Sequence, residues 1–301
     1  NFLNPFILNH RLNIIIAPLI LMFVMGCQNN QVKETATKVN ILVKEIKSPA
    51  KLESAEPNLH VSRYGNIYLT WIETHENENA CLYYSILNKE EWSKPIKIAE
   101  GNNWFVNWAD FPSLTAFGHN SLAAHYLVES GEGTYAYDLN ITVSNNGGKT
   151  WSSPLVPHSD NTPTEHGFAS LLPFKGESFM AVWLDGRKYA TENKEMTLRS
   201  AIIDKEGNIY DEYVLDERVC DCCPTNATSS EDVIIVVYRD RSENEIRDIS
   251  CVRFQNGKWS DPVDVSKDGW KINGCPVNGP AIDALGKNVG VAWFTAANDD
   301  P

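Results

Sequence analysis

The chain has 301 residues, 43% of them hydrophobic and 22% charged, and its 39 acidic side chains outnumber 26 basic ones to give a net charge of −13. That balance excludes nucleic acid and anionic membrane surfaces as electrostatic partners. The length and apolar content are those of a globular chain with a sizeable core.

In chain order, His10 and Arg11 precede an apolar run from Leu12 to Met25, the pattern of an export signal with a basic start and a hydrophobic middle. The run is shorter than the ~20 apolar residues of a membrane span. It ends Val24-Met25-Gly26-Cys27, which resembles the lipobox of bacterial lipoproteins. That resemblance implies a signal peptide over residues 1–27, lipidation of Cys27, and a membrane-anchored protein of the periplasm or cell surface. An ordinary signal peptide or an uncleaved anchor are the alternatives, and all three export the chain into oxidising surroundings. Residues 28–50 are polar and then mildly amphipathic, as expected of a tether, and 39–49 (VNILVKEIKSP) is expected to supply a closing strand.

From residue 51 to 301 a strand ending in an aromatic anchor recurs. Trp71, Tyr126, Trp183, Tyr238 and Trp293 lie 55, 57, 55 and 55 residues apart. Between anchors stand alternating or apolar stretches such as CLYYSIL, LNITVS and ISCVRF, and no sustained helical period follows the leader. Each unit reads as four short antiparallel strands, A to D. The expected fold is therefore an all-β, six-bladed β-propeller, with about five blades visible and the remainder missing at a truncated C-terminus. A sandwich repeat or solenoid is the alternative.

Ser144-Asn145-Asn146-Gly147-Gly148-Lys149-Thr150-Trp151 resembles the Asp-box (bacterial neuraminidase repeat) of sialidase-like propellers, with Asn146 in place of the Asp. Trp92 and Trp259 stand in degenerate copies. The resemblance covers about residues 51–301 and implies a structural turn between strands C and D, built by Ser144, Asn146, Gly148, Thr150 and Trp151. Sialidases carry an arginine triad, an Asp acid/base and a Tyr–Glu nucleophile pair. Their first-blade Arg-Ile-Pro motif is missing here, where Arg63-Tyr64-Gly65-Asn66 stands instead, so no role transfers from it.

In a four-stranded blade the loops leading into A and joining B to C share one face. On that face fall Asp110, Glu165, His166, Asp185, Glu245, Arg187, Arg239, Arg241 and the cysteines Cys220, Cys222, Cys223 and Cys275. Asp110 and Glu165 lead into adjacent blades and form the natural carboxylate pair, with His166, Asp185 and Glu245 as further catalytic candidates. The separation of the pair decides between retention and inversion. Arg187, Arg239 and Arg241, with Arg63 behind them, are forks for a substrate carboxylate or sulfate. The competing reading makes each arginine an inter-blade ion pair and His166 a structural histidine.

Cys-x-Cys-Cys lacks common zinc-ribbon spacing, so a disulfide with Cys275 is expected, a copper or zinc site is the alternative, and a reactive thiol is a third reading. Cys81 and Cys251 read as buried apolar residues. The sum is a monomeric exo-glycosidase, sialidase-like, acting on anionic glycans without a required cofactor. A non-catalytic glycan- or protein-binding propeller, or a cysteine-ligated copper, zinc or redox protein, remains open.

Overall fold

The structure, a computed structural model, describes residues 42–75 and 79–297. The signal segment, Cys27 and the tether to residue 41 lie outside the described residues. Five antiparallel sheets follow one another along the chain. The first holds β1 (Ser54–Val61), β2 (Ile67–Thr74) and β3 (Ala80–Asn88), with β4 (Glu91–Trp92) and β5 (Ile96–Gly101) sharing the outer edge of β3. The second holds β6 (Ser113–Ala116), β7 (Leu122–Glu129) and β8 (Tyr137–Ser144). Its fourth strand shrinks to a bridge in which Ile141 and Leu155 exchange both backbone bonds, at 2.9 and 2.8 Å.

The third sheet is complete: β9 (His166–Phe174), β10 (Ser178–Asp185), β11 (Met196–Asp204) and β12 (Ile209–Val219), with a 3-10 turn at Arg187–Ala190 between β10 and β11. The fourth comprises β13 (Asn226–Ser230), β14 (Val233–Arg239), β15 (Ile249–Gln255), β16 (Lys258–Trp259) and β17 (Val263–Asp264). The last pairs β18 (Ala281–Leu285) with β19 (Asn288–Ala292). Residues 42–49, expected to close a blade, lie in no strand.

The core lies between sheets rather than within one. Leu82 and Tyr84 of the first sheet pack with Leu114 and Leu122 of the second. Leu139 and Ile141 meet Phe179 and Trp183 of the third, whose other face sends Met180 and Leu198 against Val236 and Tyr238. Covered on both faces, β10 (SFMAVWLD) is buried along all but its first residue, which explains its apolar run where a one-sided strand would alternate. This stacking of consecutive antiparallel sheets is the propeller plan.

The aromatic anchors are its fixed points. Trp71, Trp183 and Tyr238 are almost wholly buried. Two share a device, an indole N–H donated to the acid two residues on: Trp71 to Glu73 at 3.1 Å and Trp183 to Asp185 at 2.9 Å.

The turn after β8 shows why Asn serves where an Asp is expected. Asn146 Oδ1 accepts the Thr150 N–H at 3.0 Å, and Ser144 Oγ accepts the Gly148 N–H at 2.9 Å. Only an acceptor oxygen is needed, and both residue types supply it. Gly148 has φ of +81°, and a Cβ there would run into the Tyr84 hydroxyl. The Gly147 N–H bonds Asn120 O at 2.8 Å, so this turn shares a face with the β6–β7 turn, away from the loops that lead into the A strands.

Candidate active site

The loops leading into β6, β9, β13 and β18 converge with the β7–β8 loop on a cavity of about 580 Å³. At its base the Tyr137 hydroxyl lies 3.0 Å from Asp110 Oδ2 and 2.7 Å from Glu165 Oε1. Tyr137 is the first residue of β8, and Asp110 and Glu165 arrive on the loops before β6 and β9. The second Asp110 oxygen accepts the Phe168 N–H at 2.7 Å. Phe168 holds a left-handed φ of 50°, at the bulge where β9 slips register against β10. Bulges re-aim backbone groups in this way, and here one aims an amide at Asp110. Gly167 has to be glycine, since a Cβ there would fall on Asp110 Oδ2 and within 2.8 Å of the Tyr137 ring.

One phenol proton cannot serve two carboxylates. If Tyr137 donates to one, the other must bring its own proton to the Tyr137 oxygen, so the trio holds a carboxylic acid at neutral pH. Burial is the main cause. It pushes Asp110 up to about 7 against the Phe168 and Tyr137 hydrogen bonds, and Glu165 up to about 8, with the neighbouring Asp110 and Asp221 charges adding to the rise. Burial and the same two carboxylates hold the Tyr137 phenol well above its ordinary value. The Phe168 N–H donated to Asp110 favours its carboxylate form, which leaves Glu165 to hold the shared proton.

The walls are aromatic. Phe105 stacks on Tyr137 with centroids 4.2 Å apart. Trp108 and Tyr135 stand at the cavity wall with 70% and 61% of their surface exposed. Asp221 contributes a third carboxylate, bonded to the Tyr189 hydroxyl at 3.0 Å. No lysine or arginine lines the cavity among the described residues.

That last observation corrects the expected arginine forks, each of which has a structural partner. Arg63 lies in the β1–β2 turn on the opposite face, bonded to Tyr64 Oη and Phe117 O. Arg187 holds both Asp185 oxygens at 2.7 Å and Glu212 at 3.0 Å. Arg239 is buried over the Trp270 ring, donating to the carbonyls of Asn278, Arg247 and Phe294. Arg241 grips Glu245 and stands behind Asp221 at 3.7 Å.

Three catalytic candidates move for the same reason. Asp185 is wholly buried and held by Trp183 and Arg187. Glu245 is ion-paired with Arg241 and Arg247, which hold its carboxyl below the ordinary value. His166 is fully buried and stacked on His158 at 3.7 Å, amid Asp138, Asp160 and Asp185.

The cysteine cluster reaches the cavity wall through Cys222, with Cys275 beside it. None of the six described cysteines is in a disulfide: Cys220 Sγ lies 3.9 Å from Cys222 Sγ and 3.7 Å from Cys223 Sγ. The expected disulfide with Cys275 is not formed, and the sulfurs within the cluster also stand farther apart than the ~2.05 Å of a bond. Arg247 places Nη1 3.1 Å from Cys220 Sγ, where its cation favours the thiolate form. Cys81 is buried as expected, whereas Cys251 is only half-buried.

Tyr137 and Arg247 carry the site's geometry, though neither is among the acids, cysteines and arginines that the sequence singles out. Both close a loop between strands B and C on the favoured face, and that position was the available signal.

No protein-family model and no curated protein matches the chain. Solved structures share its fold. The Hadza microbial sialidase Hz136 superposes on 81% of this chain with a TM-score of 0.55 and 14% identity, and the chain spans half the length of that protein. A Penicillium chrysogenum α-L-arabinanase, complexed with arabinobiose, covers 81% of this chain and 77% of its own, with a TM-score of 0.51 and 16% identity. A Dyadobacter fermentans DSM 18053 protein of unknown function covers 80% and 75%, with a TM-score of 0.54 and 14% identity. The chain has the sialidase-like propeller fold.

Proposed function

We propose that the cavity hydrolyses glycosidic bonds, with Glu165 as general acid and Tyr137, relayed to Asp110, as nucleophile. The observation that carries this reading is the single hydroxyl of Tyr137 held by two carboxyl groups of raised pKa at the base of an aromatic cavity. Glu165 gives its proton to the leaving-group oxygen while the Tyr137 proton passes to Asp110 and the phenolate attacks the anomeric carbon. Water then attacks that carbon from the face the leaving group vacated, opposite the Tyr137 bond, and gives a proton to Glu165, while the departing Tyr137 oxygen recovers its proton from Asp110. The two displacements retain anomeric configuration. The carboxylate-separation rule applies to pairs in which a carboxylate is the nucleophile, so with Tyr137 attacking, retention follows from the two displacements alone.

The lining sets the substrate class. Three carboxyl side chains and no basic one disfavour an anionic sugar, and exposed Trp108 and Tyr135 offer flat faces for the C–H side of a neutral ring. The neutral reading replaces the anionic glycan suggested by the loop arginines. By its leader sequence the chain works as an exported protein anchored through Cys27. Mass spectrometry of the mature N-terminal peptide, carrying or lacking a diacylglyceryl group, tests the anchor.

Assay against neutral aryl glycosides, with NMR of the first-formed anomer, tests the chemistry. Glu165→Gln is expected to lower kcat/KM by roughly 10²–10⁴-fold, the usual share of a general acid. A sugar bound without turnover is the second reading, favoured by the near-complete burial of Asp110. Affinity for a neutral glycan with no hydrolysis across the panel would establish it.

A further inference from the structure

The bend at residues 220–223 folds three sulfurs inward: Cys220, Cys222 and Cys223 place their Sγ atoms within 4.8 Å of one another. The two closest approaches, 3.7 and 3.9 Å, differ from both disulfide and random spacing. Thiolates bound to one tetrahedral zinc at ~2.3 Å stand roughly 3.8 Å apart. Two of the three sulfur pairs therefore stand at the edge length of a zinc–thiolate tetrahedron.

Their surroundings fit a bound cation with anionic ligands. Arg247 Nη1 stands 3.1 Å from Cys220 Sγ and offsets thiolate charge, while its Nη2 is held by Glu245 at 3.0 Å. The Cys220 N–H is fixed to Arg239 O at 3.0 Å, which locks the bend against β14. Cys220 and Cys223 are buried, and half-buried Cys222 lies on the cavity wall. On that side a second cluster gathers Asp221, Cys222 and Cys275 within the same 4.8 Å limit.

We infer that Cys220, Cys222 and Cys223 bind one thiophilic closed-shell cation, zinc(II), with a fourth coordination position turned toward Cys275, Asp221 and the cavity. Binding releases the thiol protons to solvent and leaves a neutral or singly charged cluster once Arg247 is included. The ion braces the β12–β13 loop, as a disulfide would in other exported proteins, and keeps the sulfurs from oxidising one another. The site is independent of the glycosidase reading, since none of its ligands belongs to the Asp110–Tyr137–Glu165 trio.

The test uses the full chain, reduced and freed of metal, titrated with Zn²⁺ against a chromophoric chelator and separately with Co²⁺ and Cu⁺. One Zn²⁺ per chain is expected, with a rise in Tm, and Co²⁺ should give thiolate charge-transfer absorption with tetrahedral d–d bands. Cys222→Ser should lose the stoichiometric binding and the Tm rise, whereas Cys81→Ser and Cys251→Ser keep both. Zn²⁺ should also slow alkylation of three thiols in the unaltered protein, a readout that needs no variant to fold. Failure of the reduced chain to bind Zn²⁺, binding that survives Cys222→Ser, or uptake of Cu⁺ with Zn²⁺ refused would overturn the assignment.

Discussion

His166 shows how a loop residue that reads as catalytic becomes structural once its neighbours are known. Burial works against its charge, but hydrogen bonds to Asp138 and Asp160 and the charges of Asp185 and Asp160 outweigh it, raising the pKa from 6.5 to about 9. A folded pKa above the unfolded one means stabilisation that is complete below about pH 6.5 and lost as pH climbs through about 9. Urea unfolding should therefore show stability falling between pH 7 and 10, by an amount on the order of 3 kcal/mol. His166→Asn should remove that component of the slope. A slope unchanged by the substitution would assign it to other groups. The Asp110–Glu165 pair makes the opposite case. Its members were legible as loop carboxylates on adjacent blades, but the Tyr137 hydroxyl joining them was not. The links span 27 and 28 positions and depend on side-chain direction, which no local pattern carries.

At the scale of elements, β9 does most to position the site, and its first residues show where sequence reading stops. Anchors such as Trp183 and Tyr238 recur because they fill the gaps between sheets, so the spacing of about 55 residues revealed the blades directly. Trp183→Ala should empty such a gap and cost about 3–5 kcal/mol, measured by chemical unfolding. Gly167 carried no comparable signal, because its need for a bare Cα follows from Asp110 and Tyr137, far off in the chain. Gly167→Ala should push that pair apart and abolish turnover while costing only about 1–3 kcal/mol of stability. Turnover at the wild-type rate in that variant would show that the trio tolerates displacement and weaken its catalytic assignment. The arginines misled because charge on a loop does not say which way a side chain turns. Arg239 directly follows the anchor Tyr238 and runs inward to three backbone carbonyls.

At the scale of the whole molecule, the charge of −13 and the acid-lined cavity act together. Surface charge repels anionic glycans at long range, and Asp221 and Asp110 disfavour them within the cavity. Neutral glycosides should therefore be turned over without salt dependence. Any residual hydrolysis of an anionic sugar should improve as salt screens the repulsion, with a Debye length near 8 Å at physiological ionic strength. A preference for the anionic sugar at low salt would reverse this reading in favour of Arg241, 3.7 Å behind Asp221. The central claim is that Tyr137 is the nucleophile of a retaining hydrolysis, and a trapped intermediate tests it most directly. Incubation with neutral 2-deoxy-2-fluoroglycosyl fluorides, followed by peptide mass spectrometry, should place one glycosyl group on Tyr137 and none on Tyr137→Phe. A label on Asp110 or Glu165 instead, or inversion at the anomeric carbon during turnover, would contradict the account.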